Sequence, residues 1–353
     1  SLRLGETGAA QELLNSAQQD YRGWEWDHIN LASDTSLQVW ETGLTTSLEV
    51  AFSPDGLLTA NAQSSGRSEI QIRSAINGDV IKSIEALPLS VTGLDFDSTS
   101  QRLAISCADK TVRVVEHFTG HEVIFDLDSS AEAVDFGPGG LLACATMESG
   151  VTVWDTQGKK GSSDSDPLHS FETAEPLTSV KFSSDGTYLA AGSKGGMVHI
   201  WNLKTREQLQ LPLSEGDITE VAFHPTADIM AVCTDDSLVR IIRIKDGKAL
   251  TLADRALIDT YATGCVFLPD GRVMTACADG LLRLLNINDT DITLVQGHTG
   301  GLSSIAIDDQ GLNLVTGSSD GTLRLWSRLS FQAKTLLAGH EDVITSLGFS
   351  ANG

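Results

Sequence analysis

A chain of 353 residues has room for two or three ordinary domains or one large repeat array, and its 41% apolar content is enough for a continuous core. The formal charge of −23 argues against nucleic acid, whose phosphates it repels at long range, and favours a basic protein partner. No apolar run approaches the ~20 residues that span a bilayer and no charged-then-apolar leader opens the chain, so this segment is expected to make no membrane contact of its own.

The first residues stand apart from the rest. QELLNSAQQD sets Leu13, Leu14 and Ala17 on one side of a short amphipathic helix, and RGWEWDHINL reads as a second helix whose Trp24 and Trp26 need cover. Residues 1–35 are therefore expected to be a helical cap, and 36–353 the repeat domain. Beyond the cap one phrase recurs, an apolar strand ending in Phe or Ile followed by a turn. It reads FSPDG at Phe52, FDSTS at Phe96, FGPGG at Phe136, FSSDG at Phe182, FHPTA at Phe223, FLPDG at Phe267, IDDQG at Ile307 and FSANG at Phe349. The seven intervals are 44, 40, 46, 41, 44, 40 and 42 residues, the period of a four-stranded propeller blade.

Each period has strand character throughout. LAISC from Leu103 or LVTGS from Leu314 follows the phrase, then a tight turn such as ADK, ADG or SDG. A strand of alternating pattern comes next (TVRVV from Thr111, TLRLW from Thr322), and a fourth leads back. No long helical period interrupts, so the fold is expected to be all-β, with sheets stacked radially to cover both faces. The longest period carries QGKKGSSDSDPLHS from Gln157, a flexible loop by composition with docking or phosphorylation as its functional alternative.

These residues resemble the WD40-repeat family, which implies a toroidal propeller with strands a to d in each blade. Trp154-Asp155 is the one literal Trp-Asp pair, Trp201-Asn202 and Trp326-Ser327 are variants, and Gly297-His298 and Gly339-His340 keep the family's Gly-His step. The resemblance assigns a hydrogen-bonded tetrad to His298, Ser318, Asp320 and Trp326: Asp320 accepts from His298, Ser318 supports the His, and Trp326 donates from its indole. The RGWEW lead-in is similar to that of large bacterial WD-repeat proteins, many attached to serine/threonine kinases or membrane anchors. Trp40 lies 12 residues before Phe52, whereas Trp326 lies 23 before Phe349, so Trp40 belongs to a lone opening strand d that closes the ring against the chain's other end. Seven closed blades are expected in preference to eight, although strand-a phrases number eight.

Motifs for chemistry fail on context. Gly317–Gly321 fits Gly-x-Ser-x-Gly but joins two strands, whereas a nucleophile elbow needs strand, turn and helix. No phosphate-binding glycine loop or zinc spacing occurs, and NINDTD at Asn286–Asp291 lacks the glycine of a calcium loop, so no cofactor or metal is expected. Asn288-Asp289-Thr290 is a formal glycosylation sequon. The five cysteines are an odd number; Cys107 and Cys277 take places that Ser193 and Ser318 take elsewhere, and Cys265 a place held by Val50, Val134 or Val221. They read as small core fillers in a reducing, cytoplasmic setting. Acidic residues recur in turns at one end of the ring, Glu148, Glu175, Glu215, Asp217, Asp235, Asp236, Glu341 and Asp342, and make that end the candidate partner-binding face. The expected function is a non-catalytic protein-binding scaffold, one module of a larger bacterial protein. The alternatives are a hydrolase or lyase with a central-channel site, for which Glu49, Asp95, Asp135 and Glu220 are the strand-a acids, and a sensory domain for a small ligand.

Overall fold

The computed structural model describes residues 36–42, 47–65, 67–87, 89–148, 150–157, 166–245, 249–256, 260–287 and 292–328. The expected N-terminal cap, most of the loop after Gln157, the sequon, Gly339-His340, Glu341, Asp342 and the eighth phrase at Phe349 lie outside them.

The described residues form seven antiparallel four-stranded sheets, each ordered a-b-c-d, the blades of a β-propeller. Blade 1 is Ser47–Phe52, Leu58–Ser65, Arg67–Ser74 and Val80–Leu87; blade 2 is Val91–Phe96, Arg102–Cys107, Thr111–Glu116 and Glu122–Asp126. Blade 3 is Ala131–Phe136, Leu141–Thr146, Val151–Asp155 and His169–Phe171; blade 4 is Leu177–Phe182, Tyr188–Ser193, Met197–Asn202 and Gln208–Pro212. Blade 5 is Ile218–Phe223, Ile229–Thr234, Leu238–Arg243 and Ala249–Ala256; blade 6 is Ala262–Phe267, Val273–Cys277, Leu282–Leu285 and Ile292–Val295. Blade 7 takes Leu302–Ile307, Asn313–Ser318 and Thr322–Ser327 from one end of the domain and Gln38–Glu41 from the other.

That last pairing closes the ring. Val39 lies opposite Arg324 and Trp40 opposite Leu323, and the Leu37 N–H donates to the Leu325 carbonyl at 2.7 Å. Trp40, 8% exposed, is also tied to blade 1: Gly78, at φ +77°, lies so close to the indole that a Cβ there would collide with it. Gln38 Nε2 donates to the Ile76 carbonyl at 2.8 Å. The opening strand is thus hydrogen-bonded into blade 7 and packed against blade 1, leaving neither sheet edge bare at the seam.

The core is divided into seven layers, one per seam between blades. Leu103, Ile105, Ile70 and Ile72 fill the seam of blades 1 and 2, and Trp154 with Phe125 and Val112 that of blades 2 and 3. Trp40, Phe52, Val315 and Leu323 fill the closing seam of blades 7 and 1. Period-2 alternation along each strand serves two seams at once, one per face, which is why strands b and c are apolar on both sides.

Strand a carries one further device. In every blade its pairing with strand b slips by one residue near the start, as between Val91 and Gly93 or Ile218 and Glu220, a β-bulge. In blades 2, 4, 5 and 6 the bulged residue is a threonine, and its hydroxyl donates to the first carbonyl of the next strand a. Thr92 reaches Ala131 at 2.8 Å, Thr178 Ile218 at 2.6 Å, Thr219 Ala262 at 2.7 Å and Thr263 Leu302 at 3.1 Å. Sheets that share no ladder are thereby stapled around the channel.

Candidate functional site: the turn face and the central channel

The b–c turns and the loops between strand d and the next strand a meet on one end of the ring. The residue entering strand c is left-handed in six blades: Lys110, Gly150, Gly196, Ser237, Gly280 and Gly321. At Gly196 a Cβ would run into the Ser214 carbonyl of the facing loop, so glycine is required there by space as well as by φ.

In blade 7 this turn is pinned by a buried relay. His298 Nδ1 lies 3.1 Å from Asp320 Oδ2, and His298 Nε2 lies 2.7 Å from the Thr316 hydroxyl, which accepts from Trp326 Nε1 at 2.9 Å. Every partner is satisfied when His298 is neutral and donates from Nδ1, while Thr316 donates to Nε2. Ser318, assigned above to support the histidine, instead donates to the carbonyls of Gly300 and Gly301 at 3.0 and 3.1 Å and accepts from the Asp320 N–H. The reason is position along the strand: Ser318 ends its strand beside the loop backbone, while Thr316, on the same face two residues earlier, lies within reach of both the indole and the imidazole. Burial alone raises the Asp320 carboxyl, but His298, Thr322 and the Thr299 N–H outweigh it and hold it well below the usual range. With the His298 side chain 1% exposed, the His-Asp pair faces no open site.

Blades without the histidine solve the same turn differently. Strand c supplies an arginine four residues after the turn aspartate: Arg113 to Asp109 at 3.0 Å, Arg240 to Asp236 at 2.8 Å and Arg283 to Asp279 at 2.6 Å. Blade 4 places His199 at that position, buried and stacked on Trp201, 3.5 Å from Glu175; burial pushes its imidazole down.

The six described acids of the candidate face all fall on this end, on blades 3 to 5. Glu148, Glu215 and Asp235 are exposed; Glu175 and Asp217 are half-buried, and Asp217 accepts from the Gly195 N–H at 2.9 Å. Asp236 is committed to the turn: it accepts from Arg240, Thr234 and Ser214, which outweigh its burial and hold its carboxyl down at about 2. The exposed Lys194 stands among these acids.

The second candidate is the channel, a cavity of about 1110 Å³ running along the seven strands a. Glu49, Asp95, Asp135 and Glu220 do line it, as does Glu132 on strand a of blade 3, and one lysine, Lys181, stands among them. Asp95, Asp135 and Lys181 occupy one level on consecutive blades; Glu49 and Glu220 occupy the level two residues earlier. Most of these carboxylates bridge blades. Asp95 accepts from the Phe136 N–H at 2.6 Å, Asp135 from the Phe182 N–H at 2.7 Å and Lys181 Nζ at 2.8 Å, and Glu49 from the Ser304 hydroxyl at 3.0 Å across the closing seam. Burial, then the charge of Glu220, raises the Glu49 carboxyl to about 8; burial, against the pull of Lys181, raises Glu220 to about 7. Burial lowers Lys181, but Asp135, Asp95 and Glu220 outweigh it and keep the ammonium charged. Spacing gave no warning of Lys181; its signal is a charge at the strand-a position that holds Asp95 and Asp135 in the two preceding blades. Among the described residues no three His, Cys, Asp or Glu converge in a way that could hold a metal ion.

Seven blades, a channel and a turn-pinning His-Asp-Trp relay define a WD40-repeat β-propeller. The family model "WD domain, G-beta repeat" matches residues 81–116 and 290–327, and the model "Nucleolar protein 10-like, N-terminal domain" matches 129–283. Among curated proteins the chain is 23% identical over 279 residues to eukaryotic translation initiation factor 3 subunit I of Candida glabrata, covering 70% of this chain and 80% of that one. It is 27% identical over 158 residues to human angio-associated migratory cell protein, covering 43% and 36%, and 21% identical over 315 residues to actin-interacting protein 1 of Drosophila melanogaster, covering 84% and 48%. The chain thus spans most of the first relative and less than half of the other two.

Proposed function

We propose that the chain is a non-catalytic platform for protein partners, and that the acidic turn face of blades 3 to 5 receives a basic segment. The observation that carries this reading is the exposure of Glu148, Glu215 and Asp235 on one end of the ring, in a chain whose formal charge is −23. The relatives' names lend support, one being a subunit of a larger factor and one an actin-interacting protein. The RGWEW lead-in favours a larger bacterial protein as host; the relatives named above are eukaryotic, so this part rests on the lead-in alone. A small-ligand or catalytic role for the channel is the second reading. It is favoured by the charged groups that line the channel and weakened because Asp95, Asp135 and Glu49 already bridge blades.

The test uses a partner recovered with the intact ring as bait. Charge steering acts over about a Debye length of ~8–10 Å, so added salt should slow association more than it speeds dissociation. Glu148→Lys, Glu215→Lys and Asp235→Lys together should weaken binding at least tenfold. Reversing Asp79, Glu207 and Asp228, exposed on turns of the opposite end, should leave binding within twofold. Equal losses in the two triple variants would remove the turn face as the docking site.

A further inference from the structure

Three of the five cysteines, taken one by one above as core fillers, gather at a single seam. Cys233 on strand b of blade 5, and Cys265 and Cys277 on strands a and b of blade 6, share one apolar layer with Ala231, Val239 and Val273. The Cys265 and Cys233 side chains are neighbours within this layer, on facing sheets, and the Thr275 hydroxyl lies 3.4 Å from the Cys277 sulfur. Cys107 and Cys144 sit in other blades, 3.5 and 3.4 Å from the backbone carbonyls of Leu89 and Ala145.

Access separates the three. Cys233 and Cys277 are fully buried, whereas Cys265, 5% exposed, lines the central channel. A small oxidant in the channel therefore reaches Cys265 before Cys233, which lies deeper in the same layer, the order of an attacked and a resolving cysteine. We propose that Cys265 and Cys233 are a peroxide-oxidisable pair that cross-links blades 5 and 6.

The chemistry balances with one hydrogen peroxide as oxidant. The Cys265 sulfur attacks a peroxide oxygen; the S–O bond forms, the O–O bond breaks, and the leaving oxygen takes the Cys265 thiol proton to depart as water. The resulting sulfenic acid is attacked by the Cys233 sulfur: the S–S bond forms, the S–O bond breaks, and the hydroxyl leaves as water with the Cys233 proton. Two thiols and one peroxide give one disulfide and two waters. Neighbouring side chains on two separate sheets reach the ~2.05 Å of a disulfide by side-chain rotation and a small approach of those sheets. The neighbouring Cys265 thiol and burial both push the Cys233 thiol up, which lowers its thiolate fraction and makes the second step, and so the cross-link, slow.

The experiment treats the folded full chain with hydrogen peroxide, alkylates remaining thiols after denaturation, and maps the digest without reduction. The expected result is a fall from five free thiols to three, with the peptides of Cys233 and Cys265 joined and released by dithiothreitol. Cys233→Ala and Cys265→Ala should each abolish the cross-link, and Cys107→Ala should retain it. Five thiols remaining in folded chain under peroxide that oxidises the denatured chain would overturn the proposal. So would Cys265 carried to sulfinic acid with Cys233 still free. Both readouts are made on the unsubstituted protein, so they stand even where an alanine variant fails to fold.

Discussion

Thr316 has two neighbours that compete for nothing: Trp326 gives it a proton, and it gives its own to His298. Such a chain is worth more than its parts, because deleting one member strands a buried polar group of the next. His298→Ala leaves the Thr316 hydroxyl and the Asp320 carboxylate each short of a partner, and should cost about 1–3 kcal/mol. Thr316→Val strands the indole N–H and should cost a similar amount. In the double variant the losses should fall short of additive, because each single change already breaks the same chain. Urea unfolding of the three variants reads this directly; unchanged midpoints in both single variants would remove the relay from the account of stability.

Among the described strands, Gln38–Glu41 is the one whose sheet neighbour, Thr322–Ser327, is not adjacent to it in sequence. In blades 1 to 6 strand d follows strand c along the chain; in blade 7 the slot is filled from residues far upstream, and Trp40 seals it. Deleting residues 1–42 exposes the ladder of Thr322–Ser327 and uncovers Phe52 and Val315, an unpaired edge next to an apolar layer. The deleted chain should aggregate, read by light scattering. A soluble monomer with native circular dichroism would show that another segment can complete blade 7.

The molecule as a whole is a ring of seven thin cores around a charged channel, so its stability should carry the channel's protonation. Glu49 and Glu220 hold their protons in the folded ring up to about 8 and about 7, whereas the unfolded chain releases them near the ordinary glutamate value of ~4.3. Between those values the folded state binds more protons than the unfolded, so stability falls as pH rises through that window. Asp236, held down at about 2, acts in the opposite sense: its contribution is present above the ordinary aspartate value of ~3.9 and is lost as pH falls toward 2. The thermal midpoint should therefore be higher at pH 5.5 than at pH 8, and Glu220→Gln should flatten that slope. A slope unchanged by the substitution would take Glu220 out of the explanation.

Much of this protein was written along one dimension. The period near 42 residues, four strands per period, the turn glycines and the displaced opening strand at Trp40 are all relations between residues close in sequence or spaced by one repeat, which a count along the chain can find. His298, Asp320 and Trp326 were legible through the resemblance to the WD40 repeat, whose offsets they match within one repeat. What the count could not decide is anything that depends on which face a side chain takes, or on what the next blade brings against it. Thr316 rather than Ser318 joins the relay because, on one face of the strand, the first lies beside the indole and the imidazole and the second, at the strand's end, beside the loop carbonyls. The Asp236 carboxylate, though exposed, is taken up by the turn because Arg240 folds back onto it from strand c. The strand-a threonines became staples, the channel acids became bridges, and three core-filling cysteines became one cluster only when the ring brought together residues some 40 positions apart. Contacts of that range depend on blade rotation and side-chain direction, which a hydrophobic pattern does not encode.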